Sequence, residues 1–129
     1  MAYIRCNSRG GLNSTNLWTN ENPTSNFSAQ AITLDSAYSN FDFIEIKYKF
    51  LASDTDALSV IIPTADCSSY QGGSGNEFIF GGPNISNNVK ARAVSFTNTT
   101  TMTFKTAYAV GTSGENASWC VPIEINGLS

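Results

Sequence analysis

Residues 42 to 50, with the sequence DFIEIKYKF, alternate between apolar and charged side chains, and this alternation restricts the fold more than any other feature. Successive side chains of a β-strand point to opposite faces of the sheet, so a period of two predicts a strand with one buried and one solvated face. The side chains expected to point inward are Ile44, Ile46, Tyr48 and Phe50. No segment has a convincing apolar period of 3.6 residues, so we expect almost no helix.

Seven further segments have the alternation or the composition of strands. Two are clear, TMTFKTAYAV at residues 101–110 and SWCVPIEI at residues 118–125. Their side chains expected to point inward are Met102, Phe104, Tyr108 and Val110 in the first, and Trp119, Val121, Ile123 and Ile125 in the second. The weaker segments are residues 3–6, 29–34, 57–62, 77–81 and 89–96. Because Pro122 has no backbone N–H, its strand either lies at a sheet edge or has a bulge at that point.

Sequences typical of turns separate these segments at intervals of roughly 8 to 15 residues, which is the spacing seen in antiparallel sandwiches. They are SDTD, GGSGN, GGPN, SNN and TNTTT. The chain has no internal repeat and no linker, and its 129 residues suit one domain. The sequence therefore predicts a single all-β domain over residues 1–129, an antiparallel, jelly-roll-like β-sandwich of about eight strands.

The alternation of the segment at 89–96 contains a conflict. Val94 and Phe96 have the same parity as Lys90 and Arg92, so burying the apolar pair also turns two cations inward. A buried charge is costly unless it is paired or hydrogen-bonded. We therefore expect either a β-bulge near the middle of this strand or a partly buried Arg92.

Charged residues make up only 13% of the chain, about half the usual share, and its polarity comes from 14 Asn, 16 Ser and 13 Thr. The net charge is −3 and the seven Lys and Arg residues are scattered, whereas phosphate binding requires clustered cations. We therefore exclude nucleic acid as a partner. Arg5 stands where a signal peptide would be apolar, and there is no long apolar stretch, so we expect a protein made in a cytoplasm without a membrane span.

The chain contains no histidine and three cysteines. The lack of histidine removes the usual general base and the commonest zinc ligand. Cys6, Cys67 and Cys120 are too widely spaced for a paired zinc motif, and their number is odd. Cys6 and Cys120 fall in predicted strands near the two ends and could be neighbours, but we favour buried free thiols. We predict no metal and no cofactor.

Without histidine, a hydrolase would have to use a pair of carboxylates as its catalytic groups. Asp54 and Asp56 lie in SDTDAL, which lacks the further oxygen ligands of a calcium loop and favours a hairpin turn. Glu45 and Glu77 could form a pair, and their separation would then decide between the two glycosidase mechanisms. A domain of this size rarely builds the long groove that a glycosidase requires. We therefore predict a protein that is not an enzyme.

Aromatic and amide side chains are the candidates for ligand binding. Trp18 lies in an Asn-, Thr- and Ser-rich run at residues 17–35, which suits a platform for a sugar ring, but aromatic residues of β-proteins are mostly buried. We expect Trp18 and Trp119 to pack on the core. Tyr70 lies in the predicted loop DCSSYQGGSGNEF, and loops often carry function. The predicted ligand-binding residues are Tyr70, Asn76 and Glu77.

Several segments resemble small β-rich bacteriophage virion proteins and the terminal domains of phage tail-fibre-like and baseplate proteins. The resemblance begins in LWTNENPTSNFSAQAITLD and continues in SNFDFIEIKYK. It includes the later segments ARAVSF, TFKTAYAVG and CVPIEINGL, and so spans most of the chain. These motifs are structural and not catalytic.

The resemblance implies a non-enzymatic virion structural protein, assembled in the host cytoplasm and displayed on the particle surface. Its partners would be other virion proteins and further copies of the chain, with a homotrimer favoured, and a host surface glycan is a possible ligand. Because Met1 opens the chain without an upstream shaft, we favour a capsid decoration protein, a head-fibre subunit or a separate adhesin over the tip of a long tail fibre.

The N-terminal residues 1–12 are predicted to attach the domain to the particle. Arg5 and Arg9, together with the adjacent glycines, suit a segment that pairs with a neighbouring strand or surface. Two alternatives belong to other functional classes. The first is a carbohydrate-binding module that is not tied to a virion, and the second is a polysaccharide depolymerase with two carboxylates facing each other in a groove.

Overall fold

Nine β-strands and two short helical turns form the computed structural model, which describes residues 12–73, 75–83 and 89–129. The strands are β1 (Ser14–Thr19), β2 (Gln30–Thr33), β3 (Phe43–Leu51), β4 (Leu58–Pro63), β5 (Phe78–Pro83), β6 (Val89–Asn98), β7 (Thr101–Phe104), β8 (Tyr108–Ala109) and β9 (Trp119–Leu128). The helical turns are a 3-10 turn at Tyr38–Asn40 and helix α1 at Thr64–Cys67. Neither of these described turns has the length and apolarity needed to cross a membrane. The prediction of almost no helix is confirmed.

The strands form two antiparallel sheets. The first has the order β1-β9-β3-β4, and the second has the order β2-β7-β6-β5, with β8 paired to one end of β6. The inner faces of both sheets contribute to one hydrophobic core. The predicted all-β antiparallel sandwich is therefore confirmed. The pairings do not confirm a jelly-roll order, since β3 pairs with β4 and β5 with β6 as neighbours in sequence.

Alternation places the predicted apolar faces in the core. Ile44 and Ile46 have no exposed surface, and Phe50, near the end of β3, is half-buried. A chain of edge-to-face ring contacts crosses the core, with centroids 5.0 to 6.2 Å apart. Its members are Trp18, Phe27, Phe104, Phe80 and Tyr48. Such contacts stabilise a core beyond the area that they bury.

The predicted strand at residues 101–110 is interrupted, and one of its inward assignments is wrong. β7 ends at Phe104, and the chain leaves the sheet before β8 begins at Tyr108. Val110 therefore falls beyond the second pairing segment and is 50% exposed, although its parity predicted an inward side chain. The predicted strand at residues 3–6 lies outside the described residues.

Two β-bulges alter the pairing of the strands in the first sheet. Lys47 lies opposite Glu124 and Tyr48 lies opposite Pro122, so Ile123 has no partner on β3. The bulge predicted at Pro122 is therefore confirmed, on a strand that lies between β1 and β3. A second register shift lies between Asn16 and Trp18, which leaves Leu17 as the extra residue of β1.

Arg92 is fully buried, which confirms and exceeds the prediction of a partly buried side chain. Its guanidinium donates five hydrogen bonds, of 2.7 to 3.3 Å, to backbone carbonyl oxygens. The acceptors are Phe27, Lys105, Ala117, Trp119 and Cys120. Burial lowers the pKa of Arg92 to about 10, so the group stays charged at neutral pH. One cation thus ties β6 to three separate connecting segments and to the start of β9.

The two described cysteines are free and buried, as expected. Burial raises the pKa of Cys67 to about 12 and that of Cys120 to about 11, so both are thiols and not thiolates at neutral pH. Cys120 has a φ of 45°, in the left-handed region that non-glycine residues rarely adopt. Its carbonyl oxygen is one of the Arg92 acceptors. Cys6 lies outside the described residues.

Candidate functional site

A groove of about 570 Å³ opens at the β1–β2 side of the sandwich, and we call it the Trp18 groove. It is formed by β1 and the loop after it, by Asn26 and Phe27, and by Gln30 and Asp35 at the two ends of β2. Its polar side chains are five amides, two carboxylates and one hydroxyl, and its apolar part is two aromatic rings. A concave surface with rings and convergent polar groups is the usual form of a small-ligand site.

The bulge in β1 sets the direction of the Trp18 side chain. Trp18 lies opposite Ile125, whose side chain is fully buried, and residues paired across two strands share a face of the sheet. The indole therefore points toward the core at the edge of the sandwich. It packs edge-to-face on Phe27, with ring centroids 6.0 Å apart, and stays half-buried. The expected packing of Trp18 on the core is confirmed, and the same ring also lines the groove.

The backbone of the loop that follows β1 is held by the bulge in β9. The Asn20 N–H donates to the Ile123 carbonyl at 2.9 Å, and its side-chain Nδ2 donates to the Pro122 carbonyl at 2.9 Å. The Asn20 Oδ1 in turn accepts from the N–H of Asn22 at 2.8 Å. A bulge interrupts the ladder locally, so these carbonyls are available to the loop. The loop is therefore fixed in position by three hydrogen bonds.

Arg92 fixes the position of Phe27 on the other side of the groove. Its Nη1 donates to the Phe27 carbonyl at 3.0 Å, and the guanidinium carbon lies 5.3 Å from the centre of the Phe27 ring. The Phe27 N–H donates to Ala117 at 2.8 Å, so both backbone polar groups of Phe27 are bonded. Since Phe27 supports Trp18, the buried cation positions the aromatic part of the groove.

Three of the five amides have structural partners. Asn16 Nδ2 donates to the Trp18 carbonyl and to Asn126 Oδ1, each at 3.1 Å. Asn20 is bonded to Pro122, and Gln30 Nε2 donates to the Ser28 carbonyl at 3.0 Å. Each of these amides therefore uses at least one of its two N–H groups within the protein.

Four other polar side chains of the groove are exposed and form no side-chain hydrogen bond or ion pair with another described residue. They are Asn22, Asn26, Glu21 and Asp35. An amide both donates and accepts, whereas an ionised carboxylate only accepts. The groove therefore offers two bifunctional amides and two acceptors to a ligand, beside a partly exposed indole.

Neither of the two clefts formed by the described residues is lined by all three predicted ligand-binding residues. Tyr70 is half-buried and packs on Phe78, with ring centroids 5.4 Å apart. Asn76 is exposed in a turn, where its backbone bonds to Gly72 and Gly73. Glu77 forms an ion pair with Lys105 at 3.0 Å.

Glu77 and Lys105 line a second cleft of about 470 Å³, together with Ile79 and Tyr108, and Tyr70 is not part of that cleft. The predicted attachment residues Arg5 and Arg9 lie outside the described residues.

Residues 20–22, 26, 30 and 35 belong to the run weighed as a sugar platform, but the sequence predicted the ligand site at Tyr70, Asn76 and Glu77 instead. The sequence signal for these residues is the Asn-rich run that follows Trp18. That run is equally typical of plain turns. The choice between them depends on the pairing of β1 with β9, which joins residues more than a hundred positions apart.

The carboxylates weighed as catalytic candidates are engaged elsewhere. Glu45 accepts a hydrogen bond of 2.9 Å from Asn126 on the outer face of the first sheet, whereas Glu77 precedes β5 in the second. Asp54 accepts from the Leu51 N–H at 3.1 Å, as expected of a hairpin turn. Among the described residues, no cluster of three or more carboxylate and thiol side chains is placed to hold a metal ion.

No protein-family model matches the chain, and no curated protein is similar to it in sequence.

Proposed function

We propose that the protein is a non-enzymatic binding protein displayed on a bacteriophage particle, and that it contacts host surface glycans through the Trp18 groove. The observation that carries the glycan part is the groove itself, in which a partly exposed indole adjoins two unengaged amides. The virion part is supported by the resemblance of residues 17–35 and 39–49 to phage virion proteins.

A sugar suits the chemistry of the groove. A pyranose ring has an apolar face of C–H groups, which packs on an aromatic ring, and a rim of hydroxyls, which both donate and accept. Trp18 supplies the ring, and Asn22 and Asn26 supply groups of matching bifunctional character. The low overall charge of the chain and its 43 Asn, Ser and Thr residues fit a surface that interacts by hydrogen bonds and not by a strong field.

Binding without chemistry is supported by the position of the two carboxylates in the groove. A glycosidase keeps one carboxyl group protonated by placing it in an apolar, buried site. Glu21 and Asp35 are both exposed to water. Incubation with a bound polysaccharide should therefore leave its chain length unchanged, and a shortening of the chain would replace binding with a depolymerase activity.

The test of the glycan part compares alanine variants of exposed asparagines. The wild-type protein is screened on an array of bacterial surface oligosaccharides, and the best binder is titrated calorimetrically. Asn22→Ala and Asn26→Ala should each weaken binding by about fivefold, which corresponds to one net hydrogen bond, without lowering stability. Asn76→Ala is the matched control, since Asn76 is also exposed but belongs to the other predicted site.

Equal affinity of all three variants would reject the Trp18 groove as the glycan site. A loss confined to Asn76→Ala would instead support the site at Tyr70, Asn76 and Glu77.

The virion part has its own test. Mass spectrometry of purified particles of a phage that encodes the chain should detect it as a particle component. Its absence from the particles, with glycan binding retained, would favour a carbohydrate-binding module outside a virion.

A further inference from the structure

We infer that the Trp18 groove selects neutral and amine-bearing glycans and rejects glycans that carry carboxylate, sulfate or phosphate groups. This inference rests on the proposed glycan-binding function and specifies its ligand class. It follows from the charges that line the groove, from the hydrogen-bond donors that remain unengaged, and from the state of three described cations.

The groove has only negative charge. Glu21 and Asp35 lie on its wall, and none of its lining residues in the described part of the chain is Lys or Arg. The Glu124 carboxylate lies 3.4 Å from the Asn16 side chain but is paired with Lys47, so the negative charge of the groove comes from Glu21 and Asp35. Like charges at this range repel, so a ligand anion would raise the energy of the complex.

An anionic group would also find only neutral donors among the residues that line the groove. Proteins bind carboxylate and sulfate through N–H groups, preferably those of Arg, Lys or a helix terminus. The side-chain nitrogens of Asn16, Asn20 and Gln30 already donate to protein carbonyls. The donors that remain are the amides of Asn22 and Asn26, the second N–H of Asn20 and of Gln30, and the Trp18 indole N–H, all of them neutral. Neutral donors do not offset the repulsion from two carboxylates.

Three described cations, Arg92, Lys47 and Lys105, are engaged with other protein groups and do not line the groove. Arg92 lies directly behind Phe27, but it is fully buried and its five hydrogen bonds all go to backbone carbonyls. Lys47 lies 3.9 Å from Glu124 on the outer face of the first sheet. Lys105 is paired with Glu77 in the second cleft. No described cation therefore lines the groove where a ligand anion would lie.

The same charges favour other ligands. Glu21 and Asp35 can accept hydrogen bonds from neighbouring sugar hydroxyls, and they would accept shorter, charge-assisted bonds from a protonated amine. An amine-bearing sugar should therefore bind more tightly than its neutral counterpart, and increasing salt should reduce this difference.

The experiment uses pairs of oligosaccharides in which one substituent changes its charge. The best neutral binder from the array is compared with its C6-carboxylate derivative, and chitin oligosaccharides are compared with their deacetylated, amine-bearing forms. We expect the carboxylate derivative to bind at least about tenfold more weakly than the neutral form, which corresponds to about 1.4 kcal/mol.

A double variant tests whether the carboxylates of the groove cause the weaker binding of the acidic oligosaccharide. Glu21→Gln with Asp35→Asn should bring the affinity for the carboxylate derivative to within about threefold of that for the neutral form. Asp56→Asn is the matched control, because Asp56 is an exposed carboxylate in the turn before β4, outside the groove, and it should leave the discrimination intact.

The outcomes separate the two proposals. Equal or tighter binding of the acidic oligosaccharide, weakened by Asn22→Ala, would overturn the charge selection and leave the glycan site in place. Unchanged discrimination in the Glu21 and Asp35 double variant would also overturn it. No binding of neutral, amine-bearing or acidic oligosaccharides would overturn the proposed glycan-binding function, and the selection with it.

Discussion

Trp18 belongs to both the core and the groove, and the extra residue Leu17 is the reason. The bulge lets Leu17 enter the core while Trp18 stays at the edge of the sandwich, opposite Ile125. From the sequence, the aromatic character of Trp18 predicted core packing, and this is confirmed. Its share in a groove could not be predicted, since the position of a bulge depends on a partner strand more than a hundred residues away.

Arg92 shows the opposite case, in which a local conflict in the pattern identified a special residue. The position of Arg92 in the alternation required either a bulge or a buried cation, and the structure shows a buried cation without an acidic partner among the described residues. The five carbonyl acceptors could not be named from the sequence, because three come from separate connecting segments and two from the start of β9, all distant from Arg92 in the chain. A guanidinium suits this position because it has five N–H donors in a plane.

Replacing Arg92 should therefore destabilise the protein strongly. Arg92→Met leaves five buried carbonyls without these donors, and Arg92→Lys supplies only three donors from a single point. Each variant should lower the free energy of unfolding by about 3 kcal/mol or more, as measured by urea denaturation. Lys105→Met, which removes an exposed cation, is the control and should cost less than about 1 kcal/mol. A loss of under about 1 kcal/mol in Arg92→Lys would contradict this role.

The buried thiols predict a loss of stability in alkali. The folded-state pKa values of Cys67 and Cys120 lie above the ordinary value of 9.0, so below pH 9 both thiols are neutral whether folded or unfolded. As the pH rises from 9 toward 11, only the unfolded thiols ionise, which favours unfolding. Burial also raises the pKa of Tyr38 and Tyr48, which adds to the effect above pH 10.

Urea denaturation at about pH 8 and at about pH 10 measures this effect. The free energy of unfolding should be lower at the higher pH, and the difference should be smaller in the Cys67→Ala, Cys120→Ala double variant. An equal difference in the wild type and the double variant would show that the thiols are not its source.

At the level of the strands, the sequence predicted both the strongly alternating strands and the weaker β2, β4, β5 and β6, and it missed β1 among the described strands. Residues 42–50 and 118–125 correspond to β3 and the first part of β9, within one or two residues at most ends. β1, with the sequence STNLWT, has no such pattern, because it is an edge strand with a bulge and only Leu17 is fully buried. β7 and β8 were predicted as one strand, since parity does not reveal where a chain leaves a sheet.

The central strand β9 contains a position where only glycine fits. A Cβ atom at Gly127 would lie 2.5 Å from the ring of Phe41, so the ring would have to move. Gly127→Ala should lower the free energy of unfolding by about 1–3 kcal/mol in a denaturation experiment.

A second variant distinguishes this clash from a loss of backbone freedom. Phe41→Leu combined with Gly127→Ala should be more stable than the sum of the two single effects predicts, because the smaller side chain makes room for the methyl group. Strict additivity of the two changes would contradict the steric explanation.

At the scale of the molecule, the proposal requires two separate surfaces, one for the particle and one for the glycan. The first described backbone bonds of the N-terminal segment join Asn13 to Ser129, with N···O distances of 2.7 and 3.1 Å. A chain beginning at Asn13 keeps these bonds and should fold with unchanged stability and bind the same glycan. It should fail to join the particle if residues 1–12, with Arg5 and Arg9, form the attachment segment.

The oligomeric state belongs to the same proposal. Sedimentation equilibrium of the whole chain should give three times its mass of 13.8 kDa. A monomer at particle-like concentrations would contradict the trimer. Normal incorporation of the chain that begins at Asn13 would contradict the attachment role.

The most direct test of the account is to locate the bound sugar on the protein. In a ¹H–¹⁵N NMR titration with the best neutral oligosaccharide, the largest shifts should occur at the Trp18 indole N–H and at the side-chain amides of Asn22 and Asn26. The resonances of Tyr70, Asn76 and Glu77 should stay unchanged. Shifts concentrated at Tyr70 to Glu77, or none at any residue of the Trp18 groove with a sugar that binds, would contradict the assignment of the site.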